Sequence, residues 1–297
     1  MKKKRCLLIC YTNLAADPRV IKHFEALKEN FDVITAGIAP IGQEKIFIKI
    51  KEYNFWDQFN KLSDKNGFLR VLFFVFVGLS NFLRFKVFCR LYFLRYWNIK
   101  RIIDFIKLSQ LKNIDLIVAN DLNTLPLAAT LAKKNSVLVY DAHEYHAEEY
   151  AERQFWVSYN RPLIKYLYNR YISRVNTCIT VGENIAKLYE KDYNKPFAVI
   201  YNTTPYSEVV LSKVHSGKIK MVYSGMFGRN RNVDEVIKSL DYLPANYELN
   251  LLITNVTDEL RHMVNNSASK ERIKFLKRSM RIFLSKRNRN LKKLLWL

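Results

Sequence analysis

The chain has 297 residues, 49 % of them hydrophobic, with only 8 Gly and 7 Pro. That composition excludes a disordered or fibrous protein and allows one large or two ordinary domains. The formal charge of +22 is concentrated, since residues 61–112 carry 11 Lys/Arg against 2 acids and residues 270–297 carry 11 against 1. Two basic blocks therefore favour anionic partners, such as lipid headgroups, nucleic acid or phosphorylated substrates.

After the basic lead Met1 to Arg5, the apolar stretch Cys6 to Tyr11 is too short for a signal-peptide core. It reads as a first strand over residues 5–11. Residues 17–29 then read as a helix, with Val20, Ile21, Phe24 and Leu27 at helical spacing. Strands are predicted over residues 31–36, 45–50, 115–119, 137–141, 176–181 and 197–201, and helices over 125–133, 159–173 and 183–189. Strand and helix alternate, which argues for βαβ units and a parallel sheet. Polar, breaker-rich residues at 202–206 and 214–218 mark a linker. Beyond it the pattern restarts, with strands at 220–224 and 247–254 and helices at 233–240 and 258–264. The expected organisation is an N-terminal Rossmann-like domain over residues 1–205 and a second over 217–297. The second is expected to be incomplete, because the apolar pattern degrades from Arg278 onward.

The four cysteines, Cys6, Cys10, Cys89 and Cys178, include no C-x-x-C pair and no zinc spacing. Cys6 and Cys10 lie an even number of residues apart on one strand, so both face the same side. Reduced core thiols fit a cytoplasmic compartment.

Asp17-Pro18 suits a helix start, Asp as N-cap and Pro at the first position. The loop Asn13 to Asp17 also precedes a helix N-terminus, where amides attract anions, so capping alone and capping with ligand contact both stand. Residues 67–97 hold the apolar run Val71 to Leu79, too short to span a bilayer. Phe74 and Phe76 lie in it, and Arg70, Arg84, Lys86, Arg90 and Trp97 flank it. This pattern suits a helix in the headgroup region, or else a core helix followed by a solvated basic one.

Tyr140-Asp141-Ala142-His143-Glu144 ends an apolar strand, and Asp115 to Asp121 repeats the arrangement. Side chains just past the carboxyl ends of parallel strands line the crevice where ligands bind, so Asn120, Asp121, His143 and Glu144 are candidates for one rim. His143 could act as general base or as part of a charge-stabilising pair, with Asp121 and Glu144 beside it. Alternatively it is a hydrogen-bonding group at a strand end. His143 and His146 without further ligands make a weak metal pattern. In the second domain, Gly225-Met226-Phe227-Gly228-Arg229-Asn230-Arg231 joins a strand to a helix. Its glycines and arginines suit a diphosphate clamp, or a surface loop with solvated arginines.

These motifs together resemble the family 4 type of retaining glycosyltransferase, with the GT-B fold of two Rossmann-like domains. Asp17-Pro18-Arg19-Val20, Asp115 to Asp121, Tyr140 to Glu144, Val199-Ile200-Tyr201-Asn202, and Val222 to Gly225 with Arg231 carry the resemblance over about residues 5–276. It implies a nucleotide-sugar donor, used as substrate with no cofactor or metal. The donor diphosphate would be held by Arg231 and Arg229 near Gly225, with Asn13 and Asp17 approaching it and His143 near the transferred sugar. The family's Glu-x7-Glu motif has no counterpart after Leu276, as a truncation or shifted reading frame would produce. The expected function is sugar transfer to a lipid-linked or oligosaccharide acceptor in bacterial surface-polysaccharide assembly. The protein would be cytoplasmic and peripheral on the inner face of an anionic membrane. The alternatives are an inactive truncated remnant that keeps membrane binding and a basic nucleic-acid-binding protein, although no DNA or RNA recognition motif is present.

Overall fold

The structure, a computed structural model, describes residues 3–50, 92–93, 95–203, 206, 208, 217–228 and 231–276. The expectations on Arg70, Phe74, Phe76, Arg84, Lys86, Arg90, Arg229 and Cys89, and on the chain past residue 276, lie outside the described residues. The chain divides into two compact units, Met1–Pro205 and Tyr206–Leu297.

In the first unit seven parallel strands form one sheet: β1 (Lys4–Ile9), β2 (Phe31–Gly37), β3 (Ile46–Lys49), β4 (Leu116–Asn120), β5 (Val137–Ala142), β6 (Thr177–Thr180) and β7 (Phe197–Val199). Their spatial order is β3-β2-β1-β4-β5-β6-β7. A parallel sheet covered on both faces needs strands apolar on both sides, and β1 shows how this is met. Leu7 and Ile9 enter one core, while Cys6 and Leu8, together with Cys10 just beyond the strand, enter the other. The same alternation sends Ile117 and Ala119 of β4 to the first core and Val118 to the second. Cys6, Cys10 and Cys178 are buried free thiols, each pushed up to about 12 by burial. They pack as small apolar groups.

Five helices of this unit are described: α1 (Pro18–Leu27), α2 (Ile99–Ser109), α3 (Leu125–Leu131), α4 (Gln154–Tyr171) and α5 (Glu183–Tyr193). Val20 and Phe24 seat α1 on one face of the sheet, whereas α3, α4 and α5 deliver Leu125, Tyr168 and Tyr189 to the other. Two helices depart from expectation. The fourth begins at Gln154 rather than 159. The second was not foreseen at all, because it buries Arg101 and Asp104 with Leu108 and turns its isoleucines outward. Asp104 accepts a hydrogen bond from the Tyr11 hydroxyl at 3.1 Å, and the Arg101 guanidinium lies 3.5 Å from the Tyr11 ring centre. Burial lowers the Arg101 guanidinium to about 10.

In the second unit β8 (Ile219–Gly225), β9 (Tyr247–Ile253) and β10 (Ile273–Phe275) pair in parallel, in the order β10-β9-β8. The helices α6 (Val233–Ser239) and α7 (Asp258–Asn265) are the crossovers, and their Val233, Ile237, Leu260 and Val264 close a core over Leu249, Leu251 and Ile253. Both units are therefore α/β with parallel strands.

The loop after β1 is anchored by Leu14, which is wholly buried and fills the space above Gly37. A β-carbon at Gly37 would lie 2.5 Å from Leu14 Cγ. Gly37→Ala is expected to lose about 1–3 kcal/mol in urea unfolding, the usual cost of overpacking a filled core.

Candidate active site

In the seven-stranded sheet the strand order reverses between β1 and β4, so the crevice beyond their carboxyl ends is the place where such sheets bind ligands. The loops after β1, β4 and β5 meet there. Pairing of Asn120 with Asp141 sets the register of the rim, and the Asp121 N–H donates to the Asp141 carbonyl at 2.9 Å. Asp121 then turns into the left-handed region at φ 64°, a conformation that Asp tolerates better than most residues. The Thr124 hydroxyl fixes that turn by donating to the Asn120 and Asp121 carbonyls at 2.8 and 2.9 Å. The end of β5 is held by Thr180, whose hydroxyl donates to the Ala142 carbonyl at 2.8 Å.

At the centre lies Asp141, whose side chain is fully buried. Arg19 of α1 grips it with two nitrogens, Nε against Oδ2 and Nη2 against Oδ1 at 2.6 Å. The same guanidinium donates through Nη1 to the Ile200 carbonyl at 2.9 Å, tying α1, β5 and the segment after β7 together. His23, one turn along α1, places Nε2 3.3 Å from Asp141 Oδ2 and Nδ1 3.0 Å from Asn120 Oδ1. Burial, joined by the Arg19 charge, holds the His23 imidazole below its ordinary pKa.

His143 stands between two carboxylates, Nε2 at 3.2 Å from Asp141 Oδ2 and Nδ1 at 3.5 Å from Asp121 Oδ2. Burial by itself would lower its pKa, but the Asp141 hydrogen bond and the two carboxylate charges outweigh burial, and the pKa is raised. The carboxylates respond in kind. Burial would raise both, yet Asp121 is lowered by His146 and His143, and Asp141 by His143, Arg19 and His23. The ring of His143 is about one-fifth exposed, so it reaches the rim while remaining fixed. This arrangement favours an imidazolium, a fixed positive charge, over a free base.

The remaining candidates are placed as follows. Glu144 is exposed, and its backbone carbonyl, not its carboxylate, takes the structural bond, accepting from the Tyr189 hydroxyl at 2.6 Å. Asn13 is exposed and its side chain caps Ala15. Asp17 caps Arg19 and Val20 at 3.1 and 3.2 Å and accepts from Thr12, so its own negative charge occupies the helix N-terminus. Trp97 is half-buried, its indole N–H donating to the Tyr171 hydroxyl at 3.0 Å and its ring edge-on to Tyr96 and Phe105. Among the described residues, no group of three or more His, Cys, Asp or Glu is arranged to hold a metal ion.

The loop after β8 belongs to the second unit. Asn255 clamps it by accepting from the Phe227 N–H at 2.9 Å and donating to the Phe227 carbonyl at 3.0 Å. Neither Gly225 nor Gly228 has a positive φ, and a β-carbon on Gly225 would meet nothing closer than 3.4 Å. Glycine is therefore not demanded there by backbone strain or packing. Arg231 is exposed, with its N–H on the Gly228 carbonyl at 3.0 Å.

Solved structures share this architecture. The sucrose-phosphate synthase of Thermosynechococcus elongatus superposes with a TM-score of 0.59 at 12% identity, over 93% of this chain and 70% of that one. The lipopolysaccharide outer core galactosyltransferase WaaB superposes with a TM-score of 0.57 at 10% identity, over 94% of this chain and 69% of that one. The fold is GT-B. No protein-family model and no curated protein matches the chain. This GT-B chain thus spans about 70% of the length of either structure.

His143 and Asp121, expected from the sequence at one rim, lie 3.5 Å apart, held by groups that the sequence does not connect to them. Asp141 lay inside the singled-out motif and Arg19 beside the capping Asp-Pro, but no sequence signal joins positions 122 residues apart. The sequence offers His146 only as part of a weak metal pattern, whereas its Nε2 lies 3.6 Å from Asp121 Oδ1.

Proposed function

We propose that the chain is a glycosyltransferase of the family 4 type, moving a sugar from a nucleotide-sugar donor to a lipid-linked or oligosaccharide acceptor in bacterial surface-polysaccharide assembly. The observation that carries this reading is His143, held between Asp121 and Asp141 at the switch point of a GT-B sheet. A fixed cation at a rim stabilises negative charge that develops as a sugar–phosphate bond breaks. WaaB, a lipopolysaccharide outer core galactosyltransferase, has the same fold, which is compatible with this reading. Arg231, with Arg229 and Gly225, is assigned to the donor diphosphate, and Asn13 to the donor side of the first unit. Asp17 serves the helix start.

Titration calorimetry of the whole chain against a panel of UDP- and GDP-sugars, followed by an assay for released nucleotide, tests the reading. Saturable binding with turnover supports it. Binding without turnover identifies a remnant, and no binding overturns it.

A peripheral membrane location on the cytoplasmic face is part of the proposal. No helix among the described residues is long and apolar enough to cross a membrane. On α2, Ile99, Ile102, Ile103 and Ile106 are 69, 40, 42 and 51% exposed and recur at i, i+3, i+4, i+7, with Lys100 and Lys107 alongside. An apolar stripe flanked by lysines suits insertion at an anionic headgroup surface. Full burial of an isoleucine stabilises by about 1.5–3 kcal/mol, so I102D/I106D is expected to weaken binding to anionic vesicles by more than about tenfold. Equal binding by the variant, or tighter binding to DNA than to vesicles at matched salt, would remove this part of the proposal.

A further inference from the structure

Behind the rim lies a cluster of buried hydroxyls whose protons can be counted. The hydroxyls of Tyr140 (β5) and Tyr168 (α4) are 2.6 Å apart, those of Tyr168 and Tyr189 (α5) are 2.7 Å apart, and the Tyr189 hydroxyl lies 2.6 Å from the Glu144 carbonyl. All three rings are wholly buried. Each of these oxygen–oxygen contacts requires a proton between the atoms. A carbonyl cannot donate, so the Tyr189 proton goes to Glu144. Tyr168 must then donate to Tyr189, and Tyr140 to Tyr168. Three protons fill three contacts, and none is left over.

His146 Nδ1 lies 3.0 Å from both the Tyr168 and Tyr189 oxygens. With their protons committed, neither oxygen can donate to it; the Tyr168 oxygen is free to accept, whereas the Tyr189 oxygen already accepts from Tyr168 and from the His146 backbone N–H at 3.3 Å. Nδ1 therefore carries a proton of its own. The other ring nitrogen, Nε2, faces Asp121 Oδ1 at 3.6 Å. A neutral ring protonated at Nδ1 would turn a lone pair toward that carboxylate, which is repulsive, so Nε2 is protonated as well. Glu149 and Glu144 are further acidic groups near this pair, and His143 is the other cationic group that acts on Asp121.

We propose that His146 is an imidazolium whose state is set by the tyrosine chain, and that it is a positioning residue that holds Asp121 against His143. Asp121 receives one imidazolium on each oxygen, His146 on Oδ1 and His143 on Oδ2. The positioning role rests on the glycosyltransferase reading, whereas the protonation state does not.

Nitrogen NMR of the ¹⁵N-histidine-labelled full chain at pH 7 tests it without donor or turnover, and the chain has only five histidines to assign. The His146 ring is expected to show protons on both nitrogens. Tyr168→Phe leaves the Tyr189 proton on Glu144, so Nδ1 must still donate to Tyr189 and stays protonated. Tyr189→Phe frees the Tyr168 proton to serve Nδ1, and the ring is expected to convert to the neutral form protonated at Nε2 alone. An unprotonated Nδ1 in the wild type, or its loss in Tyr168→Phe, overturns the assignment even if Tyr189→Phe fails to fold.

The positioning role is read on His143. If His146 holds Asp121 in place, His146→Gln lowers the His143 titration midpoint because its carboxylate partner is released. If His146 were only a neighbouring cation, its removal would raise that midpoint. A rise or no change overturns the positioning role and leaves the nucleotide-sugar reading to its own calorimetric test.

Discussion

Replacement of Arg19 by Met should destabilise the first unit by about 3 kcal/mol or more, within the range for breaking a buried ion pair from one side. The methionine keeps most of the stem volume, so the loss isolates the charge. Asp141 would be left fully buried, with His23 and His143 as its remaining ion-pair partners among the described residues. The Ile200 carbonyl would also lose its donor. Urea unfolding should show a lower midpoint with an unchanged slope, and R19M/D141N should recover part of the loss because the stranded charge is removed too. A change below about 1 kcal/mol would mean that the pair is solvated in practice.

The same cluster sets a pH window. Asp121 and Asp141 are lowered from 3.8 in the folded chain, so their stabilisation is present above that value and is lost as the pH falls through the folded values. His143 is raised from 6.5, so its stabilisation is complete below that value and is lost as the pH rises through the folded one. Both contributions are present together between about 4 and 6.5. His23, lowered from 6.5 by burial, opposes them over that range, because the unfolded chain takes up its proton first as the pH falls below 6.5.

His143→Ala is the second large effect. If the proposed function holds, kcat should fall by about 10²–10³-fold, as when a fixed group that stabilises developing negative charge is removed. The fold should survive, because Arg19 still neutralises Asp141. The wild-type pH profile separates two roles for this ring. An imidazolium that stabilises charge loses activity as the pH rises through its raised pKa. A general base would instead gain activity over that limb. The two carboxylates at 3.2 and 3.5 Å predict the first profile. A profile that rises with pH would return His143 to the role of base.

Local pattern made much of the first unit legible. The runs at Cys6 to Ile9, Ile117 to Ala119 and Leu138 to Tyr140 are apolar on both faces, and the strands formed where they lie. Asp17-Pro18 marked the start of α1 by capping chemistry that acts within four residues. Helix α2 was illegible because it inverts the usual rule, burying Arg101 and Asp104 against Tyr11 while isoleucines face outward. Strand β10 has only three residues, and the run around it is too short and basic to read as buried.

For the site, the sequence by itself determined which residues stand at the carboxyl ends of β4 and β5, since strand ends follow from where apolar runs stop. It therefore determined that Asp121 and His143 would share a rim. Only the tertiary structure decided their charge. Arg19 and His23 come from α1, His146 from the 3-10 turn after β5, and the three tyrosines from β5, α4 and α5, and they act because folding removes water from between them. Their electrostatics depend on ångström distances across the chain, and no local spacing in the sequence encodes those distances.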